Sequence, residues 1–132
     1  MIPTLRGFDH IHVYVANRDE AADWYGSVMG LKPVEKFSLW ATKEGPLTLQ
    51  DAGHNVHLAL FERPKLTGTS AIAFAASGPE FLAWKNHLEN HSLKLRVSDH
   101  QIMYSLYFKD PDENLHEITT GDYDYVKKEL AN

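Results

Sequence analysis

The stretch Asn17-Arg-Asp-Glu20, which leads to Trp24, has a counterpart sixty residues further on in Ser77-Gly-Pro-Glu80, which leads to Trp84. In both stretches a short polar residue stands three positions before a glutamate, the pattern of a capping box at the start of a helix. Each stretch also follows an apolar run that is typical of a β-strand. The sequence therefore predicts one strand–helix module present twice.

Composition limits the classes of partner. The 132 residues include no cysteine and suit one compact domain that needs no disulfide. The net charge of −5, without a marked cluster of lysine and arginine, disfavours nucleic acid as a partner. No apolar run approaches the ~20 residues that cross a bilayer, and the first residues lack the apolar centre of a signal peptide. We expect a cytoplasmic protein without a membrane partner.

Hydrophobic periodicity extends each module to the order βαβββ. The first module is predicted to contain a strand over Ile11 to Val15, a helix over Arg18 to Met29 that ends at Gly30, and strands near Val34 to Trp40, Leu47 to Asp51 and Asn55 to Phe61. The second is predicted to contain a strand over Ser70 to Ala76, a helix that begins after Ser77, and strands near Leu93 to Ser98, Met103 to Phe108 and Asn114 to Thr120. We expect an α+β fold in which modules of about residues 6–62 and 68–121 form a single domain over residues 1–132, with a short C-terminal helix over Tyr123 to Leu130.

Strand alternation then indicates which polar side chains share a face. His10 and His12 alternate with Ile11, and His57 falls on the same face as His10 if the first and fourth strands pair. Glu117 is the carboxylate of the last strand that is best placed to join them. Two imidazoles and a carboxylate are a ligand set for divalent Fe, Mn, Ni or Zn. The sequence predicts a metal site at His10, His57 and Glu117, although each is also an ordinary polar strand residue.

Three segments carry a resemblance to a known family. They are Asp-His-Ile-His-Val-Tyr-Val over Asp9 to Val15, the Trp24-Tyr25 pair followed by Met29-Gly-Leu31, and the run from Ser105 through an Asp-Pro-Asp-Glu-Asn turn to Glu117. The chain resembles the vicinal oxygen chelate superfamily, which includes glyoxalase I, fosfomycin-resistance proteins, extradiol dioxygenases and bleomycin-resistance proteins. The resemblance implies paired βαβββ modules that form a cupped mixed β-sheet with the helices on its outer face. It also implies a divalent metal that the substrate chelates through adjacent oxygens.

The resemblance can be carried over residue by residue. His10 matches the ligand in the family's first strand, and Glu117 matches the ligand in the final strand. His57 falls where glyoxalase-like members often place a carboxylate. Fosfomycin-resistance proteins and extradiol dioxygenases have a histidine where this chain has Ala71, or Ser70 if the repeat is aligned by its capping boxes. The resemblance therefore implies a His, His, Glu set drawn from an unusual three of four positions.

Several activities remain open on this resemblance. It implies a glyoxalase- or dioxygenase-like metalloenzyme that acts on a small substrate, with extradiol-type ring cleavage as one reaction. Tyr107 matches a tyrosine that extradiol enzymes place beside the substrate, and His12 would accept a proton; otherwise Tyr107 is a sheet aromatic and His12 a packing residue. The alternatives are a glutathione- or thiol-dependent lyase or transferase, and a non-catalytic sequestering protein. In the sequestering protein Trp40, Phe61 and Tyr104 would line a stacking pocket, although core packing is the interpretation that we favour for each of them. The family resemblance also implies a homodimer.

Overall fold

The computed structural model describes Ile2, residues 8–64 and residues 72–132. The chain divides into two compact units, Met1–Leu66 and Thr67–Asn132. Each unit carries one four-stranded mixed β-sheet, which confirms the α+β fold made of two βαβββ modules. Ser70 and Ala71 lie outside the described residues. Within the described part of the chain, no helix has both the length and the apolar character needed to cross a membrane.

The first unit follows the predicted order of elements and contains two turns, of π-helix and of 3₁₀-helix, that the described residues of the second unit lack. Its strand order is β1-β4-β3-β2, with β1 parallel to β4 and the other pairs antiparallel. Helix α1 continues directly into a π-helix, and a 3₁₀-helix lies between β2 and β3. The elements are β1 (Ile11–Val15), α1 (Arg18–Trp24), the π-helix (Tyr25–Met29), β2 (Lys32–Pro33), the 3₁₀-helix (Glu35–Trp40), β3 (Pro46–Gln50) and β4 (His57–Glu62).

The bounds of the first helical segment have local causes. The side chain of Asn17 accepts a hydrogen bond from the backbone N–H of Glu20 at 3.0 Å, which satisfies one of the unpaired donors at the helix start. The segment ends at Gly30, whose φ of 70° is the left-handed conformation that glycine adopts at little cost. Tyr25 and Val28 are buried. The predicted helix is confirmed, and its last part is π-helical.

The strand predicted near Val34 to Trp40 is wrong. Residues Glu35–Trp40 form a 3₁₀-helix, and the strand is reduced to Lys32–Pro33 at the edge of the sheet. Pro33 has no N–H to donate to a ladder, which favours such a short edge strand. In a 3₁₀-helix, residues three apart lie on one side, so Phe37 and Trp40 project together. Their rings stack at 4.7 Å between centroids with 3° between planes.

The second unit repeats the arrangement without the additional turns. Its strand order is β5-β8-β7-β6, again with one parallel pair, β5 and β8. The capping box at Ser77 is complete, since its hydroxyl accepts from the Glu80 N–H and the Glu80 carboxylate accepts from the Ser77 N–H. The predicted elements are confirmed with small shifts at their ends. They are β5 (Ile72–Ala75), α2 (Gly78–Asn90), β6 (Arg96–Asp99), β7 (Tyr104–Lys109), β8 (Leu115–Thr120) and α3 (Tyr123–Leu130).

Alternation along the strands gives each sheet a buried face and a more open face. In the first unit, Val13 and Leu60 pair across β1 and β4 and are almost fully buried. In the second unit, Leu106 and Ile118 pair across β7 and β8 and are equally buried. These faces pack against α1 and α2, respectively. The intervening residues, which include the predicted metal ligands, lie on the opposite faces.

The predicted turn before the last strand is confirmed. The side chain of Asp110 accepts hydrogen bonds from the backbone N–H of Asp112 at 2.9 Å and of Asn114 at 2.8 Å. Asp110 and Asn114 are both buried. The left-handed φ of 69° at Glu113 closes the turn. This local capping fixes the position at which β8 begins, and thereby the position of Glu117 within the strand.

Candidate functional site

A cavity of about 310 Å³ opens on the face of the first unit's sheet that lies opposite α1. Three histidines line it, namely His10, His12 and His57. The stacked rings of Phe37 and Trp40 form a further part of its wall. The volume falls at the lower end of the range of small-molecule sites, which is about 300–1,000 Å³. The cavity therefore combines three imidazole side chains with an aromatic surface.

His10 and His57 are neighbours, as strand pairing predicts. Ile11 pairs with Leu58 in the parallel β1–β4 ladder, so His10 lies opposite His57 one position earlier. Side chains opposite each other in a ladder have Cβ atoms roughly 5 Å apart. Both imidazoles line the same cavity. The first unit thus brings together two of the three predicted metal ligands.

Asp9, His10 and His12 form a continuous polar chain. Oδ2 of Asp9 lies 2.8 Å from Nδ1 of His10, and Nε2 of His10 lies 3.1 Å from Nε2 of His12. The two imidazole rings stack at 5.0 Å with 22° between their planes. The His12 ring also contacts Phe61, at 4.7 Å between centroids. Asp9 therefore contacts the His10 ring at Nδ1, and His12 contacts it at Nε2.

Glu117 lies on the open face of the second unit's sheet. It pairs across the β7–β8 ladder with Tyr107, and its Oε2 accepts a hydrogen bond from the Ser105 hydroxyl at 2.8 Å. Tyr107 and Ser105 share this face, as alternation predicts. The Tyr107 hydroxyl lies 3.0 Å from Nε2 of His100, and the Arg96 guanidinium lies 4.2 Å from the centre of the Tyr107 ring. Hydrogen bonding and stacking hold the tyrosine in place beside the carboxylate.

His116, next to Glu117 in sequence, has a different environment. It is fully buried on the face that packs against α2, and its ring contacts Phe74 and Phe108. Burial lowers the pKa of His116 to about 4, although the nearby Asp110 carboxylate partly opposes the shift. This imidazole is therefore neutral at pH 7. Its position in the core separates it from the open face that carries Glu117.

The donors suit a divalent transition metal, but neither unit holds a complete set among its described residues. Among the described residues, no three histidine, aspartate or glutamate side chains are grouped so that they could hold an ion. His10 and His57 belong to the first unit, whereas Glu117 belongs to the second. A carboxylate on the second nitrogen of a histidine is typical of metal-binding imidazoles, and His10 has that support from Asp9. By this criterion, the chemistry of the donors fits a metal.

The structure adds several residues that sequence reasoning missed. Asp9 contacts His10, Phe37 lines the cavity, and Arg96 and His100 contact Tyr107. The three-residue spacing of Phe37 and Trp40 was the available signal for the aromatic wall. No sequence signal indicated the contact of His100 with Tyr107, because this contact depends on a turn in which Gln101 has a φ of 72°.

The residues suggested for a stacking pocket have different outcomes. Trp40 and Phe61 line the cavity of the first unit, and Trp40 is 49% exposed. Tyr104 is instead a core residue, as the favoured interpretation of the sequence predicts. Its buried ring packs against Phe81 and Tyr123, because its position in β7 directs it to the helical side.

Comparison with known proteins identifies the family. Residues 7–118 match the Glyoxalase/Bleomycin resistance protein/Dioxygenase superfamily. The match extends over most of the chain, which therefore belongs to this superfamily. Its members are mostly enzymes, and they include lyases, transferases and dioxygenases.

Solved structures share the fold. An integron cassette protein from the mobile metagenome of the Halifax Harbour sewage outfall has a TM-score of 0.76 and 21% identity, with 88% of this chain and 99% of that chain covered. Lactoylglutathione lyase from Agrobacterium tumefaciens has a TM-score of 0.73 and 20% identity, with 91% and 97% covered. A mutant of the fosfomycin resistance protein FosX from Listeria monocytogenes, complexed with Mn(II) and 1S,2S-dihydroxypropylphosphonic acid, has a TM-score of 0.73 and 17% identity, with 95% and 99% covered.

Proposed function

We propose that this protein is a metal-dependent enzyme in which His10, His57 and Glu117 bind one divalent ion. The observation that carries the proposal is that His10 and His57 line one cavity, with the Asp9 carboxylate on the second nitrogen of His10. The open face of the second unit contributes Glu117, oriented by Ser105. Membership of the superfamily and the Mn(II) bound to the related FosX support a metal. The ion would be Fe, Mn, Ni or Zn, whose preferences include these donors.

The substrate is a small molecule that chelates the ion through two adjacent oxygens. When bound, the ion supplies Lewis-acid stabilisation of an oxyanion. Tyr107, held by His100, donates a hydrogen bond to a substrate oxygen on the face that carries Glu117. The stacked Phe37 and Trp40 rings favour a planar substrate, and for that reason we place extradiol-type cleavage of a catechol first. A thiol-dependent lyase or transferase reaction is the alternative.

One observation favours a second function. Phe37 and Trp40 present a stacked, partly exposed aromatic surface to the cavity, and the Arg63 guanidinium lies 5.0 Å from the centre of the Phe61 ring. Such a wall binds flat ligands without any metal. A protein that sequesters an aromatic compound would keep this surface and would not depend on His10.

Metal analysis of the purified protein tests the proposal. We expect about one divalent ion per chain, and we expect His10→Ala and Glu117→Gln each to lower the affinity for Mn(II) at least tenfold in calorimetric titration, since each removes a direct ligand. His54→Asn is a matched control, because His54 lies in a turn with a φ of 59° that asparagine tolerates. If no stoichiometric ion is found and His10→Ala leaves the binding of an aromatic ligand unchanged, the sequestering function replaces the enzymatic one.

Oxygen consumption distinguishes the two enzymatic reactions. Protein loaded with Fe(II) should consume dioxygen in the presence of a catechol if ring cleavage is correct. Conversion of a thiol conjugate under argon, without oxygen consumption, would instead support the lyase or transferase reaction. The Tyr107→Phe variant should lower kcat in either case, because it removes the hydroxyl and retains the ring.

We also infer a homodimer. Several large apolar side chains are strongly exposed in the structure, namely Phe8 at 98%, Leu39 at 70% and Ile102 at 78%. Members of the superfamily are commonly dimers, which supports the same inference. One chain has a mass of 15.0 kDa, and sedimentation equilibrium is expected to give twice that mass. A mass of one chain at micromolar concentration would contradict the dimer.

A further inference from the structure

His10, which directly precedes β1, and His12, which lies in β1, have ring nitrogens at a separation that suits a shared ion. Nε2 of His10 and Nε2 of His12 lie 3.1 Å apart. Two imidazole nitrogens that bind one ion at adjacent positions, each about 2.1 Å from it, are separated by roughly 3 Å. Strand alternation places the two side chains on one face, and a hydrogen bond between the rings brings these particular atoms together.

The surroundings of both rings fit metal binding. The Asp9 carboxylate lies 2.8 Å from Nδ1 of His10, the contact that a carboxylate makes with the second nitrogen of a metal-binding histidine. Phe61 packs against the His12 ring at 4.7 Å and restricts its rotation. Both imidazoles line the cavity that also contains His57. A donor pair of this kind is oriented before an ion arrives, which reduces the entropic cost of binding.

We propose that His12 is itself a metal ligand, through Nε2, and that His10 and His12 form a His-x-His pair that holds a divalent transition metal. The inference rests on the proposed function, because it concerns the same ion. It replaces the role of proton acceptor for His12, since a nitrogen that binds the ion has no lone pair for a proton. The hydrogen bond between the two rings is then the form of the pair without the ion.

A second pair of imidazoles, elsewhere in the chain, would also bind the metal probe and is therefore removed by substitution. His87 and His91 are four residues apart on α2, with ring centroids 4.7 Å apart. Two histidines at this spacing on a helix also bind transition metals. His91→Gln removes the second pair, and all measurements are made in that background.

The probe is Co(II). Its binding is measured by calorimetric titration and by the visible absorption of the bound ion, and neither measurement depends on catalytic turnover. We expect His12→Ala to lower Co(II) affinity by more than the 10–100-fold that loss of a supporting residue causes, and to shift the absorption bands. His12→Gln keeps a side-chain amide that can donate to His10, and it should be as defective as His12→Ala. Tyr14→Phe, on the same face of β1, should bind Co(II) as the background does.

The outcomes separate this inference from the proposed function. If His10→Ala abolishes Co(II) binding and His12→Ala leaves affinity and absorption unchanged, His12 is not a ligand and the proposed function stands. Full affinity in His12→Gln would likewise overturn the inference, because His12 would then only position His10. If His10→Ala and Glu117→Gln bind Co(II) like the background, the proposed function itself fails. Circular dichroism of each variant verifies that it is folded.

Discussion

The buried hydroxyl of Ser105 donates a hydrogen bond to Oε2 of Glu117 over 2.8 Å, from strand β7 to strand β8. Ser105 is only 1% exposed, and its Oγ also lies 3.0 Å from Oγ1 of Thr119. The Thr119 hydroxyl in turn donates to the backbone carbonyl of Tyr104 at 3.3 Å. This series of hydroxyls fixes one oxygen of the carboxylate that we propose as a metal ligand.

Removal of the Ser105 hydroxyl should therefore weaken metal binding more than it weakens the fold. We expect Ser105→Ala to lower Mn(II) affinity by about 10–100-fold, as is typical when the support of a ligand is lost. The free energy of unfolding should fall by only about 1 kcal/mol, the contribution of one hydrogen bond. Calorimetric titration and urea unfolding measure the two quantities.

Ser98→Ala is the matched control. Ser98 pairs with Ser105 across the β6–β7 ladder, but its hydroxyl accepts a hydrogen bond from Arg96 instead of donating one to Glu117. The Mn(II) affinity of Ser98→Ala should equal that of the unaltered protein. Unchanged affinity in Ser105→Ala would mean that Glu117 does not need this hydroxyl to bind the ion.

Acid should destabilise the second unit through His116. Its pKa in the folded protein is about 4, below the ordinary value of 6.5, so between these pH values the unfolded chain binds the proton and the folded chain does not. The stabilising contribution is complete above pH 6.5 and is lost as the pH falls towards 4. The shift corresponds to roughly 3 kcal/mol across that range.

Urea unfolding of the protein and of His116→Leu at pH 4, 5, 6 and 7 measures this effect. Carboxylates with lowered pKa values, such as Asp51 and Asp99, also reduce stability in acid, but they do so in both proteins. The difference in unfolding free energy between the two should therefore change by roughly 3 kcal/mol in favour of the leucine variant on acidification. A difference that is constant with pH would contradict a buried neutral histidine.

Local sequence patterns predicted the repeated fold and the face of the sheet on which His10 and His57 lie. Capping at Asn17 and Ser77 depends on hydrogen bonds within three residues, so it is readable without tertiary contacts. Alternation along β1 and β4 is equally local and placed His10 and His57 on one face. Their common cavity follows from that parity and from the parallel pairing of the two strands.

What the sequence did not predict depends on side-chain conformation and on irregular backbone. The segment containing Phe37 and Trp40 is apolar enough for a strand, yet the short edge at Pro33 and the 3₁₀ turn give it another conformation. The approach of His12 to His10 depends on the rotamers of both rings. Alternation therefore identified the face on which His12 lies, but did not indicate that its Nε2 would lie 3.1 Å from that of His10.

The start of α2 requires a glycine at position 78. A Cβ on Gly78 would lie 2.5 Å from Cδ1 of Tyr125 and 3.0 Å from Cβ of Asp122, while its N–H donates to Oδ2 of Asp122 at 2.6 Å. Gly78→Ala should lower the free energy of unfolding by about 1–3 kcal/mol, because α3 must move away from α2. Thermal unfolding measures the loss.

Gly121→Ala provides the comparison, since a Cβ at Gly121 would meet no atom within 4 Å and its φ lies outside the left-handed region. That variant should be neutral or slightly stabilising, because alanine restricts the unfolded chain. Equal stabilities of the two variants would show that α3 adjusts to the added methyl group without cost.

Arg18 links the start of α1 to the loop that follows the aromatic wall. Its guanidinium donates to the backbone carbonyls of Thr42 at 2.6 Å and of Ala41 at 3.4 Å, and its backbone N–H donates to Glu62 at 2.9 Å. Arg18→Lys keeps the backbone contact and the charge but loses the planar fork that reaches several carbonyls at once. We therefore expect faster hydrogen exchange over residues 41–45, with the global free energy of unfolding reduced by about 1 kcal/mol. Because Trp40 precedes this loop directly, the affinity for a flat aromatic ligand should fall as well.

Arg63→Lys, which alters a cation–π contact with Phe61 and leaves the loop untouched, should show normal exchange over the same residues. Unaltered exchange in Arg18→Lys would mean that the loop holds its conformation without the guanidinium.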